Sequence, residues 1–196
     1  MTHRLRDRLR LVARLLVVLA TMMVCCDLRA DERLPLQLQA QLIARLGTFD
    51  RNFRTRAGPA AQILVLRKAG NSDSGFAAAG LAKALADLNQ VGGVPAKVDE
   101  AEFEGGPALA ARCRAQKIAV VYFSVGLEQE MGRAADALAG VDVLTIGASA
   151  EYAEKGAVVG FGLEEARPKI VLNLRRARAQ NVDFKAELLK LARIVE

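Results

Sequence analysis

The run Ile118–Phe123 is the feature that most limits what this chain can fold into. Its successive apolar residues leave no polar face, which is typical of a central parallel strand covered on both sides. The short apolar run Ile63–Leu66 and a further predicted strand, Val141–Ile146, alternate with segments of helical periodicity. This alternation predicts a single three-layer α/β domain, with a mostly parallel sheet and helices on both faces.

The segments on either side of this core predict three further features. Apolar residues at helical spacing between Pro35 and the break at Ala57–Pro59 predict one long amphipathic helix, with Asp50 and Arg56 on its solvated face. Val94–Val98 contains Pro95, so we place this weaker strand toward a sheet edge. The acidic residues that follow it lead into a short helix around 107–115 and are typical of solvated surface.

The C-terminal part of the chain has a different pattern. The apolar runs Ala157–Leu163 and Lys169–Leu174 are joined by a short polar link, which predicts a β-hairpin and makes the sheet mixed. Arg175–Gln180 and Phe184–Ile194 are predicted to complete the chain as a helical tail.

Residues 1–30 have the pattern of a secretory signal peptide. A start rich in arginine precedes an uncharged apolar stretch, Leu15–Cys26, that is short for a membrane span. We expect cleavage after Ala30, which leaves one domain over residues 31–196 and a periplasmic protein. The alternative is an uncleaved leader that anchors the protein, in which case the leader is its only contact with the membrane.

Removing the leader lowers the net charge and removes most of the histidine and cysteine residues that catalytic and metal sites use. The whole chain has a net charge of +6, but residues 31–196 hold 22 basic and 20 acidic residues. A net charge of +2 argues against nucleic-acid binding. The leader also contains the only histidine and two of the three cysteines, so Cys113 is either buried and inert or pairs between chains.

Residues 31–196 lack the usual catalytic and cofactor motifs. Without histidine or paired cysteines we predict no catalytic residues, no cofactor and no metal site. Small polar residues do follow three of the predicted strands, where ligands of parallel sheets bind. These candidate ligand loops contain Ser72, Asp73, Ser74, Ser124 and Ser149. The alternative is that these side chains cap helices.

The C-terminal half resembles the YfiR-like family of periplasmic proteins. The resemblance extends from Cys113 to Val195 and rests on motifs in family order: Leu144–Gly147, Phe161, Ile170–Asn173, Ala177, Lys185 and Leu188–Arg193. It implies a small exported α/β protein, often a homodimer, that binds the periplasmic portion of an inner-membrane diguanylate cyclase and represses it. Other family members resemble companions of sensor kinases or outer-membrane proteins.

We therefore expect an exported regulatory protein that is not an enzyme and whose partner is an inner-membrane signalling protein, such as a diguanylate cyclase or a sensor kinase. The candidate interface lies on the N-terminal helix and the C-terminal tail, and its residues are Phe49, Arg51, Phe53, Arg175, Arg176 and Arg178. A solvated helix face is the alternative for the basic residues. The alternative function is a solute-binding module that uses the candidate ligand loops.

Overall fold

The computed structural model describes residues 33–165 and 167–195, so the predicted leader lies outside the described residues. The helices are α1 Leu36–Phe49, α2 Phe53–Ala57, α3 Ser72–Leu88, α4 Gly106–Gln116, α5 Met131–Ala137, α6 Ala150–Glu154, α7 Leu174–Ala179 and α8 Ala186–Leu191. The strands are β1 Ala61–Arg67, β2 Gln90–Val91, β3 Val94–Glu102, β4 Ile118–Phe123, β5 Leu144–Gly147, β6 Val159–Glu164, β7 Arg167–Asn173 and β8 Arg193–Val195.

The strands form one eight-stranded sheet in the order β2-β3-β1-β4-β5-β6-β7-β8. The pairs from β3 through β6 are parallel. The predicted hairpin is confirmed, because β6 and β7 pair antiparallel from Val159↔Leu172 to Glu164↔Arg167. The mixed α/β sheet expected from the sequence is therefore present.

Helices cover both faces of this sheet. The chain moves one way across the sheet from β1 to β3 and the other way from β3 through β4 to β5. Because such crossovers are right-handed, α3 and the pair α4 and α5 lie on opposite faces. Helix α1 packs against α3, and α4 packs against α5. The predicted three-layer fold is confirmed.

The core centres on β4, which is buried along its whole length, as its sequence predicts. The hydroxyl of Tyr122 donates to Oε1 of Gln39 on α1 at 2.7 Å, and Nε2 of Gln39 donates to the carbonyl of Leu34 at 2.8 Å. On the other face, the rings of Phe103 and Phe123 meet edge to face, with centroids 6.1 Å apart. The Tyr122 hydroxyl thus has a hydrogen-bond partner inside the core, and burial raises the pKa of this phenol.

The prediction of one long N-terminal helix is wrong at Asp50. The helix ends at Phe49, and Asp50 forms an antiparallel bridge with Phe184 before α2 begins at Phe53. Asp50 and Arg56 are buried rather than solvated. The break arises because a distant segment of the chain pairs with the backbone at this point, which local periodicity does not record.

Two predictions about strands also need correction. The C-terminal tail is not all helix, because Arg193–Val195 forms β8 and pairs in parallel with β7 at Val171–Asn173. Strand β3 extends beyond Val98 to Glu102, so Asp99, Glu100 and Glu102 lie in the strand itself. In both cases pairing with a neighbouring strand decides the conformation. Among the described residues, no helix is long and apolar enough to cross a membrane.

Candidate functional site

The fold brings two of the candidate ligand loops together. Strand β1 leads through α3 to one side of the sheet and β4 leads through α5 to the other, so a crevice is expected between their carboxyl ends. Ser74 lies at the start of α3 and Ser124 directly follows β4. Their hydroxyl oxygens are 2.8 Å apart, at the position where ligands of open α/β sheets bind.

The crevice is closed by the protein's own hydrogen bonds. Ser74 and Ser124 are both fully buried. The Ser74 hydroxyl accepts the N–H of Lys68 at 2.8 Å, and the Ser124 hydroxyl lies 3.3 Å from the carbonyl of Ser74. Since each hydroxyl already has partners within the chain, a ligand could use them only by displacing these bonds.

Tyr152 closes the same crevice from α6. Its hydroxyl donates to the carbonyl of Ser124 at 2.5 Å and accepts the N–H of Leu127 at 3.1 Å. Burial raises the pKa of the Tyr152 phenol above its usual range, and the negative charge of Glu128 raises it further. The phenol is therefore neutral at physiological pH and acts as a fixed hydrogen-bond donor.

The other loop residues do not join this cluster. Ser72 and Asp73 are exposed in the first turn of α3, and Ser149 is half-buried before α6. The helix cap is Asn71, whose Oδ1 accepts the N–H of Ser74 at 2.8 Å. Ser149 occupies a cap position without a side-chain cap bond. The residue that caps α3 is thus Asn71 rather than one of the three candidate residues beside it. The sequence reasoning left Asn71 out, although asparagine is a common cap residue.

In the described part of the chain, the serine hydroxyls of the crevice lack the neighbours that metal-dependent or nucleophilic catalysis uses. Within the described residues, no cluster of histidine, cysteine and carboxylate side chains could hold a metal ion. Ser74 and Ser124 bond to each other and to backbone groups, and none of the hydrogen bonds described above joins either hydroxyl to a basic side chain. A serine nucleophile needs such a base to become reactive.

Cys113 is the free cysteine of the described residues, and it is buried on α4. Burial raises the pKa of its thiol to about 11, against a smaller lowering by Arg112 and Arg114. The reactive thiolate is therefore scarce at neutral pH. Of the two roles considered for this residue, the buried and inert one agrees with its environment.

The candidate interface residues fall into three groups. Arg51, Arg175 and Arg178 are exposed, and Phe49 is half-buried. Arg176 is partly buried, and it pairs with Asp136 of α5 at 2.8 Å. Phe53 is fully buried, and its ring packs against the backbone at Gly92. Phe53 therefore belongs to the core and is out of a partner's reach, which corrects its assignment to an interface.

The structure joins the two predicted interface segments into one surface, which we call the clasp and define as residues 48–54 and 178–185. The N–H of Lys185 donates to the carbonyl of Phe49, and its ammonium donates to the carbonyl of Thr48, both at 2.8 Å. The N–H of Arg51 donates to the carbonyl of Asp183, also at 2.8 Å. The end of α1 and the C-terminal segment are thus one continuous strip of surface.

A buried ion pair holds the clasp together. The guanidinium of Arg56 contacts Asp50 at 2.6 Å and Asp142 at 2.7 Å, and donates to the carbonyl of Asn181 at 2.8 Å. Oδ1 of Asp50 also accepts the N–H groups of Asn52 and Asp183, each at 3.1 Å. The sequence reasoning missed this cluster. It placed both charges on a solvated helix face, because the segment also carries the exposed Arg51 and Arg54.

The exposed charge of the clasp is mainly basic. Four exposed basic residues lie on it: Arg51, Arg54, Arg178 and Lys185. The acidic Asp183 pairs with Arg51 at 2.9 Å, which leaves the surface net positive. A basic strip next to the half-buried Phe49 fits an acidic protein surface with an apolar contact at its centre.

Comparison with protein families identifies one match. The model of the family described as YfiR/HmsC-like matches residues 37–193, which includes both the clasp and the closed crevice. No curated protein has a sequence significantly similar to this chain.

Solved structures share the fold at low sequence identity. A ligand-free, open substrate-binding protein with adhesive properties from Clostridium difficile has a TM-score of 0.57 at 16% identity, over 74% of this chain and 57% of its own. The ABC domain in complex with L-Trp from Streptococcus pneumonia has a TM-score of 0.58 at 11% identity, over 82% and 62%. A conserved domain protein from Vibrio cholerae has a TM-score of 0.56 at 16% identity, over 83% and 60%. This chain matches less than two thirds of each of these proteins.

Proposed function

Because this chain belongs to the YfiR/HmsC-like family, we propose that it is a periplasmic regulatory protein that binds the periplasmic part of an inner-membrane signalling protein. A diguanylate cyclase or a sensor kinase is the expected kind of partner, and the protein acts by binding rather than by catalysis. The observation that carries this proposal is the family match over nearly all of the described chain.

The closed crevice supports binding through a surface rather than through a pocket. At the place where a solute would enter, the hydroxyls of Ser74 and Ser124 bond to each other and the hydroxyl of Tyr152 donates to the carbonyl of Ser124. The clasp, by contrast, offers exposed basic side chains beside Phe49. We propose the clasp as the partner-binding surface. The same proposal includes a homodimer and export by the leader. Where the leader stays uncleaved, it anchors the protein to the membrane.

In vivo cross-linking tests the partner and the surface together. With a photoreactive amino acid in place of Phe49, we expect light to link the protein to an inner-membrane protein that has a periplasmic portion and a cyclase or kinase domain. The double substitution Arg51→Glu and Arg178→Glu should reduce this product at least tenfold, because it reverses the charge of the clasp. Mass spectrometry of the product identifies the partner.

The matched control is the same double charge reversal away from the clasp, at Lys83 of α3 and Arg133 of α5, which are both exposed. It should leave the cross-linked product unchanged. The thermal unfolding of both double variants should stay close to that of the unchanged protein, because exposed ion pairs contribute little to stability. A product that survives reversal of the clasp charges would contradict the proposed surface, and a cytoplasmic partner would contradict the proposed function.

A solute-binding module is the second candidate. One specific observation favours it, because two of the similar structures are described as a substrate-binding protein and a domain in complex with L-Trp. This chain matches only 57% and 62% of those chains. The exposed Ser72 and the half-buried Ser149 are the polar loop residues still available to a solute.

A thermal-shift experiment against amino acids and other small metabolites separates the two candidates. The regulatory proposal predicts no rise in the melting temperature with any of them. A rise that disappears in the double variant Ser72→Ala and Ser149→Ala would favour solute binding instead, since a ligand stabilises the folded state to which it binds.

A further inference from the structure

The outer edge of β3 is open along most of its length. Strand β2 pairs with β3 only at Val94 and Pro95, and the N–H of Ala96 donates to the carbonyl of Asn89 at 3.1 Å. Within residues 33–165 and 167–195, no strand pairs with this side of β3 beyond that point. The segment from Lys97 to Glu102 is therefore a free strand edge, and such edges are templates for another strand.

The hydrogen bonds of β3 identify which backbone groups face outward. The N–H of Phe103, just after β3, donates to the carbonyl of Arg67 on β1 at 2.9 Å, whereas the N–H of Ala96 points to the other side. Backbone groups alternate in direction along a strand. The N–H and carbonyl groups of Val98, Glu100 and Glu102 thus point away from β1, toward the open edge.

Charge decides which kind of strand this edge can accept. Asp99, Glu100, Glu102 and Glu104 are all exposed. Arg67 pairs with Glu102 at 2.8 Å, but no ion pair between described residues involves the other three. Two copies of this edge would place carboxylates against carboxylates, which is destabilising. A segment with lysine or arginine side chains would complement it instead.

A small cavity lies beside the end of this edge, under α4. Its volume is about 90 Å³. It is lined by the apolar residues Leu64, Leu66, Phe103, Ala108 and Leu109 and by the charged residues Glu102, Glu104 and Arg112. A cavity of about 150 Å³ holds a benzene ring, so this one has room for an aliphatic side chain rather than a ring. Leu66 pairs with Ala101 of β3, so the cavity lies on the face of the sheet that carries Ala101.

We propose that the β3 edge binds an extended, basic segment of a partner protein by strand addition. The segment pairs with the backbone of Val98, Glu100 and Glu102, places basic side chains beside the acidic ones, and inserts one aliphatic side chain past the small Ala101 into the cavity. Adjacent strands are about 4.8 Å apart, which is within the reach of a leucine side chain. This inference goes beyond the proposed function, because it concerns a different surface from the clasp.

The other free edge of the sheet fits such a segment less well. Strand β8 has only three residues, Arg193–Val195, and its exposed side chains are basic and apolar. The β3 edge is longer, carries charge of mainly one sign and has a cavity beside it. These three properties together select β3.

A fluorescent peptide, Lys-Thr-Lys-Leu-Lys-Thr, tests the proposal with the full protein. Its lysines and its leucine point to opposite faces of an added strand, so the lysines lie on the face of Glu100 and Glu102 and the leucine lies on the face of Ala101, which carries the cavity. We expect Glu100→Pro to weaken binding at least tenfold relative to Glu100→Gln, by fluorescence polarisation. Both variants remove the same charge, but only proline removes the outward N–H, and an edge strand tolerates proline there.

Hydrogen exchange on the unchanged protein gives a second measurement that does not depend on any variant. The peptide should slow exchange at the N–H groups of Val98, Glu100 and Glu102, and a peptide with glutamate in place of lysine should not. Equal binding by folded Glu100→Pro and Glu100→Gln, or unchanged exchange at these three positions under saturating peptide, would overturn the proposal. The clasp variants do not touch this edge, so the two proposals fail separately.

Discussion

Replacing Arg56 by alanine is expected to lower the free energy of unfolding by about 3–5 kcal/mol, the usual cost of removing one partner of a buried ion pair. The Arg56 side chain is 2% exposed and the Asp50 side chain 0% exposed. Without the guanidinium, the buried Asp50 carboxylate loses its ion pair and keeps the hydrogen bonds from the N–H groups of Asn52 and Asp183. The carbonyl of Asn181 also loses a donor. Urea unfolding followed by circular dichroism measures the loss.

The matched control is Arg51→Ala, because Arg51 forms the exposed ion pair of the same clasp. Its side chain is 53% exposed and that of Asp183 is 55% exposed. Exposed pairs contribute up to about 1 kcal/mol, so Arg51→Ala should change stability little. Equal losses for Arg51→Ala and Arg56→Ala would show that the buried pair is not what holds the two segments together.

Replacing Gly147 by alanine is expected to destabilise the protein by about 3 kcal/mol, the upper part of the range for overpacking a core. Gly147 is the last residue of β5, and an added Cβ would overlap Cβ and Cγ of Tyr152 and lie 2.7 Å from its Cδ1. Tyr152 cannot easily move away, because its hydroxyl is bonded to the backbone of Ser124 and Leu127. The substitution therefore strains the closed crevice directly.

Gly75→Ala provides the control for this substitution. Gly75 lies in α3, and an added Cβ would have no neighbour within 4 Å. Alanine is the better helix former, so Gly75→Ala should raise the free energy of unfolding by about 0.5–1 kcal/mol. The two substitutions thus have opposite expected signs in the same urea experiment. A Gly147→Ala protein as stable as the unchanged one would show that α6 can move away from β5.

Local patterns in the sequence predicted much of the fold. The buried strand β4, the alternation of strands with helices and the β6–β7 hairpin all depend on which neighbouring residues are apolar, and this information lies within short windows. Predictions failed where a distant segment intervenes. Phe184 ends α1 by pairing with Asp50, and β7 draws Arg193–Val195 out of the helical tail.

The candidate site divides in the same way. The sequence placed Ser74 and Ser124 at the carboxyl ends of strands, because that position follows from strand order alone. Ser74 and Ser124, whose hydroxyls bond to each other, are 50 positions apart in the chain, and Tyr152, whose hydroxyl donates to the carbonyl of Ser124, is 28 positions from Ser124. No short pattern records such a contact, so an open ligand loop and a closed crevice have the same sequence signature.

The sequence by itself determined the fold class and the family resemblance, because both depend on local apolar patterns and on the order of short motifs. Only the tertiary structure decided how charges and strand edges are used. It buried Asp50 with Arg56, left the acidic edge of β3 open, and joined the ends of α1 and the C-terminal segment into the clasp. The physical reason is that desolvation of a charge and pairing of a strand edge depend on residues far apart in the chain.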